Sequence, residues 1–174
     1  MRKIILVYGT IAGLIIITTM LIGLIASNKE GIFSSEAFGY LTMLVSLSLI
    51  FFGIKRYRDN ELGGVIQFTT ALWMGLAIAG LASVMYVAVW EVYLAFTDHA
   101  FINEYVESTL AQYKAAGVSE TALQQHVTDM EEMKVMYAKF YYRLPITFLE
   151  IFPVGMLIAF ISAALLRNPR VLPD

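Results

Sequence analysis

Two carboxylates lie within or at the edge of long apolar stretches, where a charge is expensive. Glu91 occurs in AVWEVY, directly after 26 residues that carry no formal charge, and Glu150 occurs in FLEIFP. An ionised carboxylate in hydrocarbon costs on the order of 3 kcal/mol. Counting along the helices places Glu91 near the outer boundary of the hydrocarbon core and Glu150 deeper. Glu150 must therefore be neutral, paired or facing water. Two carboxylates that lie close together can also share one proton, which is the chemistry of a proton or cation site.

Arg143 is the candidate counter-ion, because it lies seven residues before Glu150, two turns along the same helical face. Pro153 follows Glu150 by three residues and has no N–H to donate, so it tends to kink a helix. Two interpretations of Glu91, Glu150 and Arg143 remain open. In the first, which we favour, the acids form an interhelical hydrogen bond at the base of an outward hairpin. In the second, they form a proton or cation site that opens outward.

The composition places these residues in a membrane protein. Hydrophobic residues make up 59% of the 174-residue chain and charged residues only 15%, whereas a soluble domain is roughly half apolar and a quarter charged. A helix needs about 20 mostly apolar residues to cross the hydrocarbon core. Four stretches qualify, the second of them short, at about 4–26, 37–54, 65–96 and 144–166. The first is longer than the apolar core of a signal peptide, so we expect one all-α domain with four transmembrane helices over residues 1–174.

The distribution of Lys and Arg predicts how these helices are oriented, because cytoplasmic loops are enriched in both residues. The long segment 97–143 has four cations, which seven acids outnumber. We therefore predict that both termini are cytoplasmic and that 97–143 faces outward. Seven cations then share the cytoplasmic side, namely Arg2, Lys3, Lys55, Arg56, Arg58, Arg167 and Arg170.

The outward segment 97–143 is predicted to form a helical hairpin. It contains one glycine, Gly117, and no proline, and its apolar residues recur at helical spacing on either side of that glycine. Gly117 suits a helix end, and Ser119 can cap the next helix. We expect helices near 99–116 and 120–143, each continuous or nearly continuous with the neighbouring span. Their apolar faces either bury each other, which we favour, or dock a partner protein or a second copy.

Metal and catalytic chemistry have little support in the sequence. His126, Met130, Met133 and Met136 offer the soft ligands that Cu(I) prefers, but the three Met positions rotate across roughly 120° of helix surface and do not converge. His99 has no ligand at a suitable spacing, and the chain has no cysteine. No catalytic motif occurs. We expect no metal, no cofactor and no enzymatic activity, and the net charge of −2 gives no reason to expect nucleic acid.

One charged segment carries the most specific pattern in the chain. The stretch GIKRYRDNELGGVIQF, residues 53–68, contains Tyr57, Arg58 and Asp59, followed by Gly63 and Gly64. Asp59 favours a turn, and the two glycines let the backbone reverse direction. Arg58 can contact a lipid phosphate or cap the second span. We predict a tight cytoplasmic turn flanked by cations that extend towards the membrane surface.

With this segment, its short second span and its long insertion before the last span, the chain resembles a family of small four-span bacterial inner-membrane proteins. That family is catalogued as domain of unknown function 4199. The resemblance covers most of the chain in the order of the spans. It implies a multi-pass protein of the bacterial inner membrane, and it implies no activity.

Rows of small residues offer contact surfaces between helices. Gly9 and Gly13 are four apart in the first span, and Gly75, Ala79 and Ser83 are four apart in the third. Such rows let helices approach closely. From sequence alone they can pack helices within one chain or between two chains.

Two functional hypotheses follow. The first is a protein of the lipid bilayer that acts by protein–protein contacts of its hairpin, with an envelope partner or with another copy. The alternative is a small oligomeric transporter or channel component with a proton or cation site at Glu91 and Glu150. A chain of four spans is small for a pathway, so this alternative requires an oligomer.

Overall fold

A computed structural model describes residues 1–26, 36–98 and 100–172, and every regular element within these ranges is an α-helix. The expected all-α class is therefore confirmed. Residues 27–35, His99 and residues 173–174 lie outside the described residues. The seven helices are α1 (Arg2–Ala26), α2 (Glu36–Leu47), α3 (Leu49–Leu62), α4 (Phe68–Phe96), α5 (Ala100–Ala115), α6 (Glu120–Tyr137) and α7 (Phe140–Leu166).

Four helical segments are long and apolar enough to cross a membrane, as the sequence predicts. They are Arg2–Ile25, Ala37–Leu62, Phe68–Phe96 and Phe140–Leu166. Their length and composition indicate a multi-pass membrane protein.

The second segment is longer than predicted and is interrupted at Ser48. The Ser48 hydroxyl donates to the carbonyl of Val45 at 2.6 Å, and the Phe51 N–H bonds the Ser48 carbonyl, three residues back. Such hydroxyl bonds compete with the helical ladder and bend a helix. Beyond Ser48, α3 continues to Leu62, so the second helical segment does not end near residue 54 as predicted.

The turn after α3 begins at the two glycines instead. Gly63 ends the helix with φ +65°, and Gly64 follows with φ +88°. These positive φ values are readily adopted by glycine and strained for most other residues. Asp59, expected to be a turn residue, lies inside the helix because its carboxylate is paired with Lys55, one turn earlier, at 2.6 Å.

The chain divides into two compact units. The first unit comprises Met1–Val87 and Phe148–Asp174, and the second comprises Ala88–Thr147. The core of the first unit is built from α1, α2, α3 and the parts of α4 and α7 that belong to it. Its buried apolar residues are Ile4, Ala12, Ile16, Leu47, Ile50, Ile54, Ile66, Ala71, Met74, Ile78, Ala79, Ala82, Ile151, Ala159, Ala163 and Leu166.

Small residues bring α4 and α7 into close contact within the first unit. A Cβ added to Gly75 would lie 2.6 Å from the Cβ of Ala159, and a Cβ added to Gly155 would lie 2.6 Å from the Cβ of Ala79. Gly75 and Ala79 on α4 thus interlock with Ala159 and Gly155 on α7. The α4 row is used within the chain, where it allows two backbones to approach.

The glycine row of α1 also packs within the chain. A Cβ on Gly9 would lie 2.8 Å from the Leu81 side chain, and one on Gly13 would lie 3.4 Å from the Ala82 Cα. Both glycines therefore face α4. The sequence pattern alone could not distinguish this packing from contacts between copies.

The second unit contains the helical hairpin of α5 and α6. Gly117 has φ +70° between the two helices, and the Ser119 hydroxyl accepts the Ala122 N–H at 3.3 Å, as expected of a helix cap. Helix α6 ends at Tyr137, six residues before the predicted end at 143, and α7 begins at Phe140. The reason for this early end lies in the side chains around Tyr137.

Candidate functional site

Glu91 and Arg143 form an ion pair in the second unit. The guanidinium donates from Nε to Oε1 of Glu91 at 2.7 Å and from Nη2 to Oε2 at 2.5 Å. This two-point geometry is the strong form of an arginine–carboxylate pair. The Arg143 side chain is 5% exposed and that of Glu91 is 20% exposed, so the pair is largely shielded from its surroundings.

Tyr137 joins this pair through both its backbone and its side chain. Arg143 donates from Nη1 to the Tyr137 carbonyl at 2.9 Å, and the indole N–H of Trp90 donates to the Tyr137 hydroxyl at 2.8 Å. Tyr137 is the last residue of α6, where backbone carbonyls lack helical partners. The guanidinium supplies a donor there, which accounts for the early end of the helix.

We call Trp90, Glu91, Tyr137 and Arg143 the hairpin root. The Trp90 ring contacts Phe101 edge-on, with ring centroids 4.8 Å apart, so the first turn of α5 packs against the root. A guanidinium and a carboxylate that satisfy each other provide neither a nucleophile nor a free base. The arrangement is suited to hold α4, α5, α6 and α7 together at one point of the second unit.

Glu150 has a different setting, in the first unit. Its side chain is exposed on the surface of α7, and the Tyr86 hydroxyl on α4 donates to its Oε2 at 3.5 Å. Arg143, expected to be able to reach Glu150 along the helix, pairs with Glu91 instead. Helical side chains lean towards the amino end of their helix, and Glu150 lies on the carboxyl side of Arg143.

A second polar cluster surrounds Arg58, which is fully buried. Its Nε donates to Oδ1 of Asp59 at 2.5 Å, and its Nη1 and Nη2 donate to the carbonyls of Val171 and Leu172 at 2.9 and 2.8 Å. The expected contact of Arg58 with a lipid phosphate is thus replaced by a contact with the segment after α7. Tyr57 is partly buried against the core of the first unit.

The amino terminus lies at the same end of the first unit as this cluster. The Met1 ammonium pairs with Glu61 on α3 at 3.0 Å, and Arg58, one turn earlier, holds Val171 and Leu172. Both ends of the chain and the end of α3 are therefore neighbours. The seven cations that the sequence places on one side occur in these three segments.

The hairpin buries part of its apolar surface between its own helices. Ile102 and Val106 of α5 are buried, and the ring of Tyr113 stacks on the His126 imidazole with centroids 3.8 Å apart. This contact gives His126 a structural role. The apolar stripe expected to face α5 is half-buried on α6, at Leu123, Val127, Met130, Met133 and Tyr137. Phe140, expected to continue the stripe, is the first residue of α7 and is exposed.

One surface of α6 remains uncovered. Val135 is 60% exposed and Met136 is 37% exposed. With Glu131 and Glu132 they line a shallow groove of about 410 Å³. We call these four residues the α6 patch, which joins an apolar surface to two carboxylates. Across residues 1–26, 36–98 and 100–172, no cluster of three His, Cys, Asp or Glu side chains is arranged to hold a metal ion.

Sequence reasoning identified four of the residues in these clusters, namely Glu91, Arg143, Arg58 and Asp59. It missed Tyr137 as the centre of the hairpin root, although Tyr137 lies on the predicted apolar stripe of α6. The available signal was a tyrosine, whose ring carries a hydrogen-bonding hydroxyl, six residues before the cation Arg143. It also missed the contact between Arg58 and the carboxyl-terminal segment, for which no local pattern exists.

Comparison with known proteins gives a family without an assigned activity. No curated protein sequence and no solved structure matches the chain. A family model described as a protein of unknown function (DUF4199) matches residues 7–168. The match covers all four membrane segments almost completely, together with the hairpin root, Arg58 and Asp59, and it ends before Val171 and Leu172. The chain therefore belongs to the DUF4199 family.

Proposed function

We propose that this chain is a multi-pass protein of the bacterial inner membrane that acts by binding another protein through its outward hairpin. Both termini lie in the cytoplasm under this proposal, because seven of twelve cations occur in the segments expected there. The observation that carries the proposal is the α6 patch. It presents exposed apolar side chains beside carboxylates on a helix whose end is fastened by the hairpin root.

The charge around the α6 patch favours a basic partner. Glu131 and Glu132 border the exposed Val135 and Met136, and segment 97–143 carries seven acids against four cations. One of those cations, Arg143, is engaged with Glu91. We therefore propose that the partner contributes an amphipathic helix with Lys or Arg beside its apolar face. Such a helix lays its apolar side in the groove and pairs its cations with the carboxylates.

The proposal is tested by site-specific photocrosslinking in cells. A photoreactive amino acid replaces Met136, and the covalent product is followed in three backgrounds: the native sequence, Glu131→Lys with Glu132→Lys, and Glu104→Lys with Glu107→Lys. The last pair is the matched control, since both acids are exposed on α5 and do not line the patch. We expect the product to be lost in the first double variant and retained in the second.

Two results would overturn this proposal. If both charge reversals reduce crosslinking equally, the contact depends on overall charge and not on the patch. If the product contains two differently tagged copies of this chain and nothing else, the surface joins copies of one protein and no basic partner is involved.

A transport function is the second candidate, and it depends on Glu150 alone. Glu91 is already paired with Arg143, whereas Glu150 is exposed on an apolar helix with a hydroxyl at 3.5 Å. An intramembrane carboxylate is a candidate for proton transfer. Proton flux in liposomes should fall on Glu150→Gln if transport is the function. Unchanged flux, or no flux in the native protein, rules the candidate out.

A further inference from the structure

A groove separates the first turns of α1 from the last turns of α3 in the first unit. It has a volume of about 280 Å³. Its apolar wall is formed by Ile4, which is buried, with Val7 and Tyr8 further along α1. Its polar rim comes from Lys3 on α1 and Arg56 on α3. The groove is therefore apolar on one side and cationic at its mouth.

The positive charge at the rim is not neutralised by the neighbouring acid. Glu61 also lines the groove, but it pairs with the Met1 ammonium at 3.0 Å. Among the described residues, no carboxylate lies within ion-pair distance of Lys3 or Arg56. Asn60 adds an uncharged amide to the lining. The rim thus presents two exposed cations and an amide donor.

The sequence pattern around the groove predicts that it lies where membrane helices meet the lipid headgroups. The apolar run of α1 begins at Ile4, next to Lys3. On α3, the apolar run ends at Ile54, two residues before Arg56. Cations at such positions extend towards the interface, while their apolar neighbours stay in hydrocarbon. A ligand in this groove therefore meets phosphate-binding charge at one end and lipid-facing surface at the other.

We propose that this groove binds an anionic phospholipid. Lys3 and Arg56 contact the headgroup phosphate, Asn60 donates to a headgroup oxygen, and an acyl chain lies along Val7 and Tyr8. Arg58 is not part of this site because it is buried against the carboxyl-terminal segment. The cations of the lipid site are thus the exposed Lys3 and Arg56.

The experiment measures lipid binding to the purified full chain by native mass spectrometry and by thermal stabilisation. Phosphatidylglycerol is the anionic probe and phosphatidylcholine the zwitterionic one. We expect a preference for phosphatidylglycerol of at least about tenfold, since each interfacial cation contributes measurably to anionic-lipid binding. Lys3→Gln with Arg56→Gln should reduce this preference to about twofold or less.

The matched control removes the same charge from the same end of the unit. Arg167→Gln with Arg170→Gln alters two exposed cations that do not line the groove, and it should keep the preference. An equal loss in both double variants would show diffuse attraction and overturn the proposal. So would the absence of any preference in the native chain.

Two further measurements are needed. The first tests whether binding requires the apolar wall as well as the cations, and the second tests whether the ligand is a lipid or phosphate alone. Val7→Trp fills the apolar wall while it keeps both cations, and it should abolish the preference. A preference that survives in this variant contradicts binding in the groove. Inorganic phosphate should stabilise the chain far less than phosphatidylglycerol, and equal stabilisation would contradict a lipid ligand.

Discussion

At the scale of single residues, the buried arginines of this membrane protein, Arg58 and Arg143, each pair with a carboxylate. Glu91 and Arg143 neutralise each other, and Arg58 and Asp59 do the same in the first unit. Removing one member of a buried ion pair leaves the other charge without a partner, which destabilises a protein by about 3–5 kcal/mol. Replacing both members costs far less. The hairpin root and the Arg58 cluster should both show this asymmetry.

The first prediction concerns the Glu91–Arg143 pair. Arg143→Met should destabilise the second unit by about 3 kcal/mol, because it strands the carboxylate and leaves the Tyr137 carbonyl without its guanidinium donor. Glu91→Gln should cost less, and the double variant less than the sum of the two. A double-mutant cycle by thermal or denaturant unfolding in detergent gives the coupling.

Arg143→Lys is the control for this cycle. It keeps the charge but loses the forked geometry, so it should fall between the native chain and Arg143→Met. Strict additivity of the two single variants would show that the pair does not act as a unit.

The second prediction concerns Arg58. Arg58→Gln should release the segment after α7, because two of its donors hold the carbonyls of Val171 and Leu172. Hydrogen exchange or limited proteolysis around 167–172 should rise several-fold. Arg56→Gln, at an exposed neighbouring position, should leave that segment protected. Equal protection in Arg58→Gln and native protein would contradict the anchoring role.

At the scale of helices, close packing in the first unit depends on small residues that interlock. Gly75 and Ala79 of α4 meet Ala159 and Gly155 of α7, and a Cβ added to either glycine would lie 2.6 Å from an alanine Cβ, so there is no space for larger side chains. In a bilayer, packing of this kind replaces the hydrophobic drive that holds soluble helices together.

The third prediction compares two glycines of α4. Gly75→Ala should destabilise the chain by about 1–3 kcal/mol, since its Cβ would lie 2.6 Å from that of Ala159. Gly80→Ala should be neutral or slightly stabilising, because its Cβ meets only Phe152, at 3.9 Å. Unfolding of the two variants in detergent measures the difference. Equal effects would mean that helix propensity, not packing, decides the outcome.

The fourth prediction concerns the turn of the hairpin. Gly117 has φ +70° and nothing within 4 Å of an added Cβ, so only its backbone conformation resists substitution. Gly117→Val should cost about 1–2 kcal/mol in the hairpin, whereas Gly117→Asn should cost clearly less. Hydrogen exchange across α5 and α6 measures both. Equal cost for Val and Asn would indicate a steric and not a conformational requirement.

Sequence patterns predicted the helices well where periodicity or glycine determines them. The four spans, the turn at Gly117 and the cap at Ser119 follow from local chemistry. The predicted end of α3 is too early, although Gly63 and the Lys55–Asp59 pair are local signals. The end of α6 and the contact of Arg58 with residues 171–172 depend on side chains distant in sequence. Local propensity contains no information about such contacts.

At the scale of the whole molecule, the side of the membrane that each segment faces determines which partners it can meet. Contacts of Met1 with Glu61 and of Arg58 with Leu172 gather both chain ends at one end of the first unit. Four spans and the charge distribution then predict that the hairpin emerges on the opposite face of the bilayer. The protein-binding proposal requires this placement, because an inward hairpin could not meet an envelope partner.

Cysteine accessibility tests that placement most directly, and the chain offers a clean background because it has no cysteine. Ala116→Cys, exposed at the hairpin tip, and Pro169→Cys, exposed after α7, are each labelled with a membrane-impermeant maleimide. In bacterial spheroplasts, we predict that Ala116→Cys is labelled at once and that Pro169→Cys is labelled only after the membrane is permeabilised. The reverse pattern, or labelling of both before permeabilisation, would contradict an outward hairpin.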